Sequence, residues 1–147
     1  MQATEDIIGH QVNCQGAMNS GVAKSIRETF PRAYKEYREL TTSLNGVEDT
    51  RKSLLGEIQY VRTYGKWIAN LFGQYAYGYD QKQYTSPAHL YRCFKELREK
   101  AEERNMSVAL PYMIGCYRGG ADWKEVEGLL LTAFEGYEVT LYKLHKG

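Results

Sequence analysis

The chain has 147 residues, the length of one domain built around one core. Hydrophobic residues make up 43% and charged residues 25%, an ordinary globular balance. The net charge of +1 gives no electrostatic reason to expect binding to bulk nucleic acid or to a membrane surface.

Asp6-Ile-Ile-Gly-His-Gln-Val12 is a short, partly apolar run that reads as a buried strand. It opens into residues 13–21, a loop rich in glycine and small polar residues. Residues 22–30 have helical character, with Val22, Ala23, Ile26 and Phe30 on one face. Pro31 ends that helix or starts a second one at its first turn, and Tyr34, Tyr37 and Leu40 continue a helical face. Residues 41–52 are polar, with an Asn45-Gly46 turn signal. Residues 57–62 and 66–72 look like strands joined around Tyr64-Gly65 as a hairpin. Residues 73–86 read as loop. A long helix then runs from Pro87 to about Arg104, with Ser86 as its cap. Residues 107–111 form a strand, 114–120 a second glycine-rich loop, 122–134 a helix, and 138–143 the last strand. Alternating strands and helices around one hairpin predict an α/β fold: a mixed, mainly parallel sheet with helices on both faces. No repeat, low-complexity tract or linker divides the chain, so residues 1–147 are expected to form one domain.

Thirteen tyrosines and two tryptophans could stack on a base, but most should pack with their polar tips wet. Cys14, Cys93 and Cys116 form no CxxC pair, and their odd number argues against a disulfide framework or a zinc site. A reduced, cytoplasmic setting fits best. No apolar stretch reaches the roughly 18–20 residues of a membrane span, and the N-terminus lacks the pattern of a signal peptide.

The chemistry points to the two strand-loop-helix junctions. A helix N-terminus carries unpaired N–H groups and the positive end of a dipole, so it attracts anions. Glycines just before it let backbone approach a phosphate. The first junction supplies Gly16 and Gly21; the second supplies Gly115, Gly119 and Gly120. Ligands of open α/β sheets favour the crevice at strand carboxyl ends, and two such loops side by side suit a diphosphate.

Residue identity narrows this. His10-Gln-Val-Asn13-Cys-Gln-Gly16, then Ser20-Gly-Val-Ala23 and a helix ending in Phe30-Pro31, resembles the first ligand loop of macrodomains. Leu110-Pro-Tyr-Met-Ile-Gly115-Cys, then Gly119-Gly-Ala-Asp-Trp123, resembles their second, and Asn70-Leu-Phe-Gly-Gln74 their central strand. The resemblance implies a three-layer α/β/α domain that holds ADP-ribose or a derivative, free or on an ADP-ribosylated macromolecule, without a cofactor or metal. It places Asn13, Gly16, Ser20, Gly21 and Val22 around the distal ribose and one phosphate. Ile114, Gly115, Cys116, Tyr117, Arg118, Gly119 and Gly120 would cover the diphosphate, with Gln74 ending the strand between.

The His–x–x–Asn–Cys–x–Gly arrangement looks like the yeast-type ADP-ribose-1″-phosphate phosphatases, a branch that also includes terminal ADP-ribose glycohydrolases. This implies hydrolysis of a 1″-substituted ADP-ribose, with His10 and Asn13 positioning the group and water. A non-catalytic reader of ADP-ribose is the alternative. The glycohydrolases use a lysine and an aspartate where this chain has Gln74 and Gly119, which disfavours their mechanism. The family's usual first strand, ending in Gly-Asp and recognising adenine, has no counterpart in the sequence, and Tyr117 stands where a glycine is common.

Each candidate also has a plainer role. His10 could be an acid/base or a hydrogen-bonded core histidine, and Asn13 a ribose contact or a loop cap. Asp122 could be a general base, but Asp122-Trp-Lys-Glu125 is a capping-box pattern, which is favoured. Arg118 could pair with phosphate or be solvated. Cys14 and Cys116 suit packing better than nucleophilic catalysis.

Overall fold

The computed structural model describes residues 4–44, 48–80 and 82–143. Strand β1 (Ile7–Asn13) lies at the centre of the sheet, with β3 (Lys66–Gln74) on one edge and β4 (Val108–Pro111) on the other. β2 (Ile58–Thr63) and β5 (Val139–Tyr142) complete the order β2-β3-β1-β4-β5. All neighbours are parallel except β2 and β3. That pair is a hairpin closed by Tyr64 and Gly65, both at positive φ (+50° and +75°), the turn geometry whose twist matches antiparallel strands. The expected mixed, mainly parallel sheet is therefore what forms.

Strand alternation sorts the core onto two faces. Ile8 and Val12 pack with Ile26, Phe30, Ala33 and Tyr37 of α1 (Gly21–Thr29), α2 (Pro31–Ser43) and their junction. Ile7 packs on the opposite face with residues of α4 (Pro87–Arg104) and α5 (Trp123–Ala133), among them Leu90, Phe94, Leu97, Val126 and Leu130. The result is the three-layer α/β/α arrangement. β1 is covered on both faces, bonded to β3 along its length and to β4 at Ile7 and Ile8, and all of its residues but the half-buried Gln11 are buried.

Several boundaries move from their expected places. β3 continues to Gln74, beyond the expected end at Phe72, and its pairing slips there: Val12 faces Phe72 but Asn13 faces Gln74, so Gly73 is bulged out. α2 runs through Thr41 to Ser43; the Thr41 hydroxyl donates to Tyr37 O at 3.1 Å, so a polar residue stays satisfied inside the helix. A short helix α3 (Glu48–Lys52) forms in the stretch read as a polar connection, while the Asn45-Gly46 turn lies outside the described residues. α4 starts as expected, with Pro87 in its first turn and Ser86 Oγ accepting from His89 N. No helix among the described residues is long and apolar enough to cross a membrane.

Phe94 is fully buried where α4 meets the sheet. Phe94→Ala should lower the unfolding free energy by about 3–5 kcal/mol in urea titrations. A loss below about 1 kcal/mol would show that α4 is not packed this way.

Candidate functional site

β1 and β4 are adjacent and parallel, so the loops that follow them leave the same edge of the sheet side by side. The first loop, residues 14–20, is held from below. Asn13 is only 7% exposed; its Oδ1 accepts from Gln15 N (2.9 Å) and Ala17 N (3.4 Å), and its Nδ2 donates to Ala17 O (2.9 Å). The Tyr37 hydroxyl lies 2.6 Å from Asn13 O and 2.9 Å from Asn13 Oδ1, and it accepts from Gly16 N at 3.1 Å. Cys14 N and Gln15 Nε2 both donate to Tyr75 O, just past the end of β3. Asn13 thus acts as a clamp on its own loop, the plainer of its two expected roles.

Beyond Ala17 the backbone donors are no longer engaged. Among the described residues no protein acceptor takes the N–H groups of residues 18–23. Ser20 occupies the cap position of α1, yet its side chain makes no cap bond, unlike Ser86 on α4 and Asp122 on α5. Gly21 has φ +59° with nothing within 4 Å of where a Cβ would stand, so the start of α1 faces open space, with Val22 half-buried beside it. The positive end of the helix dipole is left uncovered there.

The second loop is pinned at its base and free at its tip. Ile114 is buried at 3% exposure, Cys116 N donates to Met113 O, and Ala121 N donates to Gly115 O. Met113, Gly115 and Gly120 have φ of +60°, +78° and +73°. A left-handed methionine is an uncommon conformation that the closed loop imposes. Residues 117–120 have N–H groups with no protein acceptor among the described residues. Tyr117 is 72% exposed and turned to solvent, and the exposed Arg118 guanidinium lies 4.6 Å from the Tyr79 ring centre. Asp122 Oδ2 accepts from Glu125 N at 3.3 Å, so the favoured capping role is the one observed.

Two expected site residues turn away from the cleft. His10 has no exposed surface: it lies in the core between the sheet and the α1–α2 layer, and so does not touch a ligand directly. Its Nε2 sits 2.6 Å from Asn70 Oδ1. A backbone carbonyl fixes its tautomer. Gln59 Nε2 donates to Glu36 O, so Gln59 Oε1 must accept from Asn70 Nδ2, and Asn70 Oδ1 must accept from His10. Nε2 therefore carries the proton and Nδ1 is a buried acceptor without a partner. Burial lowers the His10 pKa to about 4, against a smaller upward pull from Asn70, so the ring is neutral at pH 7. Gln74 is 8% exposed and its amide is engaged at both ends, accepting from Gln11 Nε2 and donating to Ala76 O. Burial also pushes the Cys14 thiol up to about 12 and the Cys116 thiol up to about 11, so neither supplies a thiolate near neutral pH.

Sequence reading missed Tyr37, Gln11 and Thr85. Tyr37 sits in a helical stripe that reads as core, and nothing local distinguishes a hydroxyl that meets a distant loop. Among the described residues no group of three or more His, Cys, Asp or Glu side chains could hold a metal ion.

A model of the Macro domain family matches residues 10–130, and the chain belongs to that family, which is known for binding and processing ADP-ribose. No curated protein matches the chain. Among solved structures it is similar to a protein of unknown function from Bacteroides thetaiotaomicron (22% identity, 98% of this chain and 90% of that one, TM-score 0.81). It is similar too to the macrodomain of Mycobacterium tuberculosis DarG (23% identity, 98% and 92%, TM-score 0.79). A third is Thermosipho africanus DarTG in complex with ADP-ribose (18% identity, 97% and 39%, TM-score 0.73). At these identities the likeness speaks for the fold.

Tyr37→Phe keeps the ring packing but removes the hydroxyl that joins Asn13 to Gly16. The cost should be about 1–3 kcal/mol of unfolding free energy, read from the urea midpoint at constant slope. His10 supplies a pH signature. Its pKa falls from 6.5 to about 4 on folding, so the unfolded chain binds the extra proton between those values. This contribution is fully present above pH 6.5 and is lost as the pH falls toward 4. Between pH 7 and pH 5 it amounts to about 2 kcal/mol, and a His10→Gln variant should lack it. An equal pH slope in both proteins would contradict the buried, neutral ring.

Proposed function

We propose that this domain binds ADP-ribose-type ligands across the two loops, with the diphosphate between the start of α1 and the tip of the second loop. The observation that carries the reading is the pair of N–H runs, residues 18–23 and 117–120, without protein acceptors at the ends of adjacent parallel strands. Aligned N–H groups at a helix start and in glycine-rich turns suit phosphate oxygens. In this reading Gly16, Gly21, Gly115, Gly119 and Gly120 let the backbone come close to the ligand, with Ser20, Val22, Ile114, Cys116, Tyr117 and Arg118 on the same two loops. Asn13 contributes by shaping the first loop, His10 from within the core, and Gln74 by closing the strand end. Arg118 and Tyr117 stand exposed at the rim, where an ADP-ribosylated macromolecule would emerge. The buried or half-buried free thiols support a reducing, cytoplasmic setting.

A second reading is hydrolysis of ADP-ribose-1″-phosphate or a related 1″-substituted species. It is favoured by the exposed Asp122 carboxylate two residues past Gly120, with loop amides stabilising the anionic transition state. The lysine-dependent glycohydrolase route has no support, since Gln74 offers no amine and Gly119 no carboxylate.

Calorimetry with ADP-ribose should show saturable one-to-one binding, and folded Asn13→Ala should bind at least about tenfold more weakly, the equivalent of one lost buried hydrogen bond. Unchanged affinity in that variant would sink the assignment of the first loop. Phosphate release from ADP-ribose-1″-phosphate, abolished by Asp122→Asn, would establish the hydrolase; binding without release leaves a reader.

A further inference from the structure

β1 carries one more polar side chain, Gln11, which touches neither the first loop nor the core histidine. Its Nε2 donates to Gln74 Oε1 at 2.6 Å and to Thr85 Oγ1 at 2.8 Å. Two backbone carbonyls fix the sense of both bonds. Gln74 commits its Nε2 to Ala76 O, so it turns Oε1 toward Gln11. Thr85 commits its hydroxyl proton to Gly115 O at 2.8 Å, so toward Gln11 it can only accept. Gln11 must therefore present its NH2 to both, and its Oε1 is left buried without a partner. That oxygen lies against bulged Gly73, where an added Cβ would stand 2.3 Å from it.

The second loop rests on this pair. Gly115 O takes the Thr85 hydroxyl and also Ala121 N, the bond that closes the loop. Gly119 O takes both Tyr84 N and Thr85 N. Gly119 packs so tightly that a Cβ would lie 2.0 Å from Thr85 Oγ1 and 3.1 Å from Gln11 Nε2. A side chain on the strand that feeds the first loop thus reaches the base of the second.

We propose that Gln11 is a positioning residue for the second loop: through Thr85 it holds Gly115 and Gly119, and so sets where the free N–H groups of residues 117–120 stand relative to the first loop. The ligand part of this inference rests on the proposed function; the mechanical part does not. The Gln11 amide is turned to protein: its Nε2 bonds Gln74 and Thr85, and its remaining polar atom is buried.

Two variants reach the contact independently. Gln11→Met keeps length and removes the amide. Gly73→Ala alters neither loop, and Gly73 is not in the left-handed region, but the new methyl would stand 2.9 Å from Gln11 Cδ and displace the side chain. Amide hydrogen exchange should quicken at least about tenfold at Thr85 and Ala121 in each variant, as expected when one buried hydrogen bond is lost, while exchange at Leu71 in β3 stays unchanged. Global destabilisation would quicken all three together. ADP-ribose affinity, measured where circular dichroism shows the variants folded, should fall about tenfold, and the double variant should be no worse than either single one. Unchanged exchange at Thr85 and Ala121 in Gln11→Met, or additive effects in the double variant, overturns the coupling. Quickened exchange with unchanged affinity overturns its link to the ligand. Failure of the unaltered protein to bind ADP-ribose defeats the proposed function instead, and the exchange data still decide the role of Gln11.

Discussion

In a strand covered on both faces, polar side chains have little water to turn to, and their atoms find protein partners or stay unpaired. β1 holds three of them, His10, Gln11 and Asn13, within seven residues. Each leads to a different region, and each trail ends on a backbone carbonyl. His10 runs through Asn70 and Gln59 to Glu36 O in α2. Gln11 runs through Thr85 to Gly115 O in the second loop. Asn13 closes directly on Ala17 O in the first. Leaving one such buried group unpaired costs about 1–3 kcal/mol, so these trails constrain the loops as firmly as apolar packing does.

This arrangement divides the labour between side chains and backbone. The polar side chains near the strand ends face inward, onto carbonyls and one another, and the loop N–H groups above them are left over. What the two loops offer is therefore mostly backbone: partial positive charge held in place by glycines and by the start of a helix. Under the proposed function such a surface reads the shape of an oxyanion more than its net charge, in keeping with a chain whose own net charge is only +1. Membership of the macro domain family is in keeping with that design. At the end of β3, Gln74 is drawn into the protein by Gln11 and Ala76, so that position contributes rigidity there.

Much of the architecture was legible because its signals are local. The Tyr64-Gly65 hairpin, the Ser86-Pro87 start of α4 and the Asp122 cap of α5 each depend on a few adjacent residues. The extension of α2 and the presence of α3 were not legible. Threonine and charged residues there read as a connection, and only packing of Tyr37 and the backbone bond of Thr41 keep the helix going. The bulge at Gly73 was hidden for a similar reason, since it appears only when β3 is laid beside β1.

The sequence by itself determined the order of the strands and of every helix but α3, the mixed parallel character of the sheet and the two glycine-bearing loops. Periodicity, turn residues and collinear motifs are properties of neighbouring residues, and they survive being read one after another. Tertiary structure alone decided what each polar residue does. His10 and Asn13 stand three positions apart on one strand, yet the first is sealed in the core and the second clamps a loop. Tyr37, which looked like one more packing residue, supplies the hydroxyl that clamp needs from another layer. The partners of Gln11 and Tyr37 come from segments 74 and 24 residues away, so these roles existed only once the chain had brought them together.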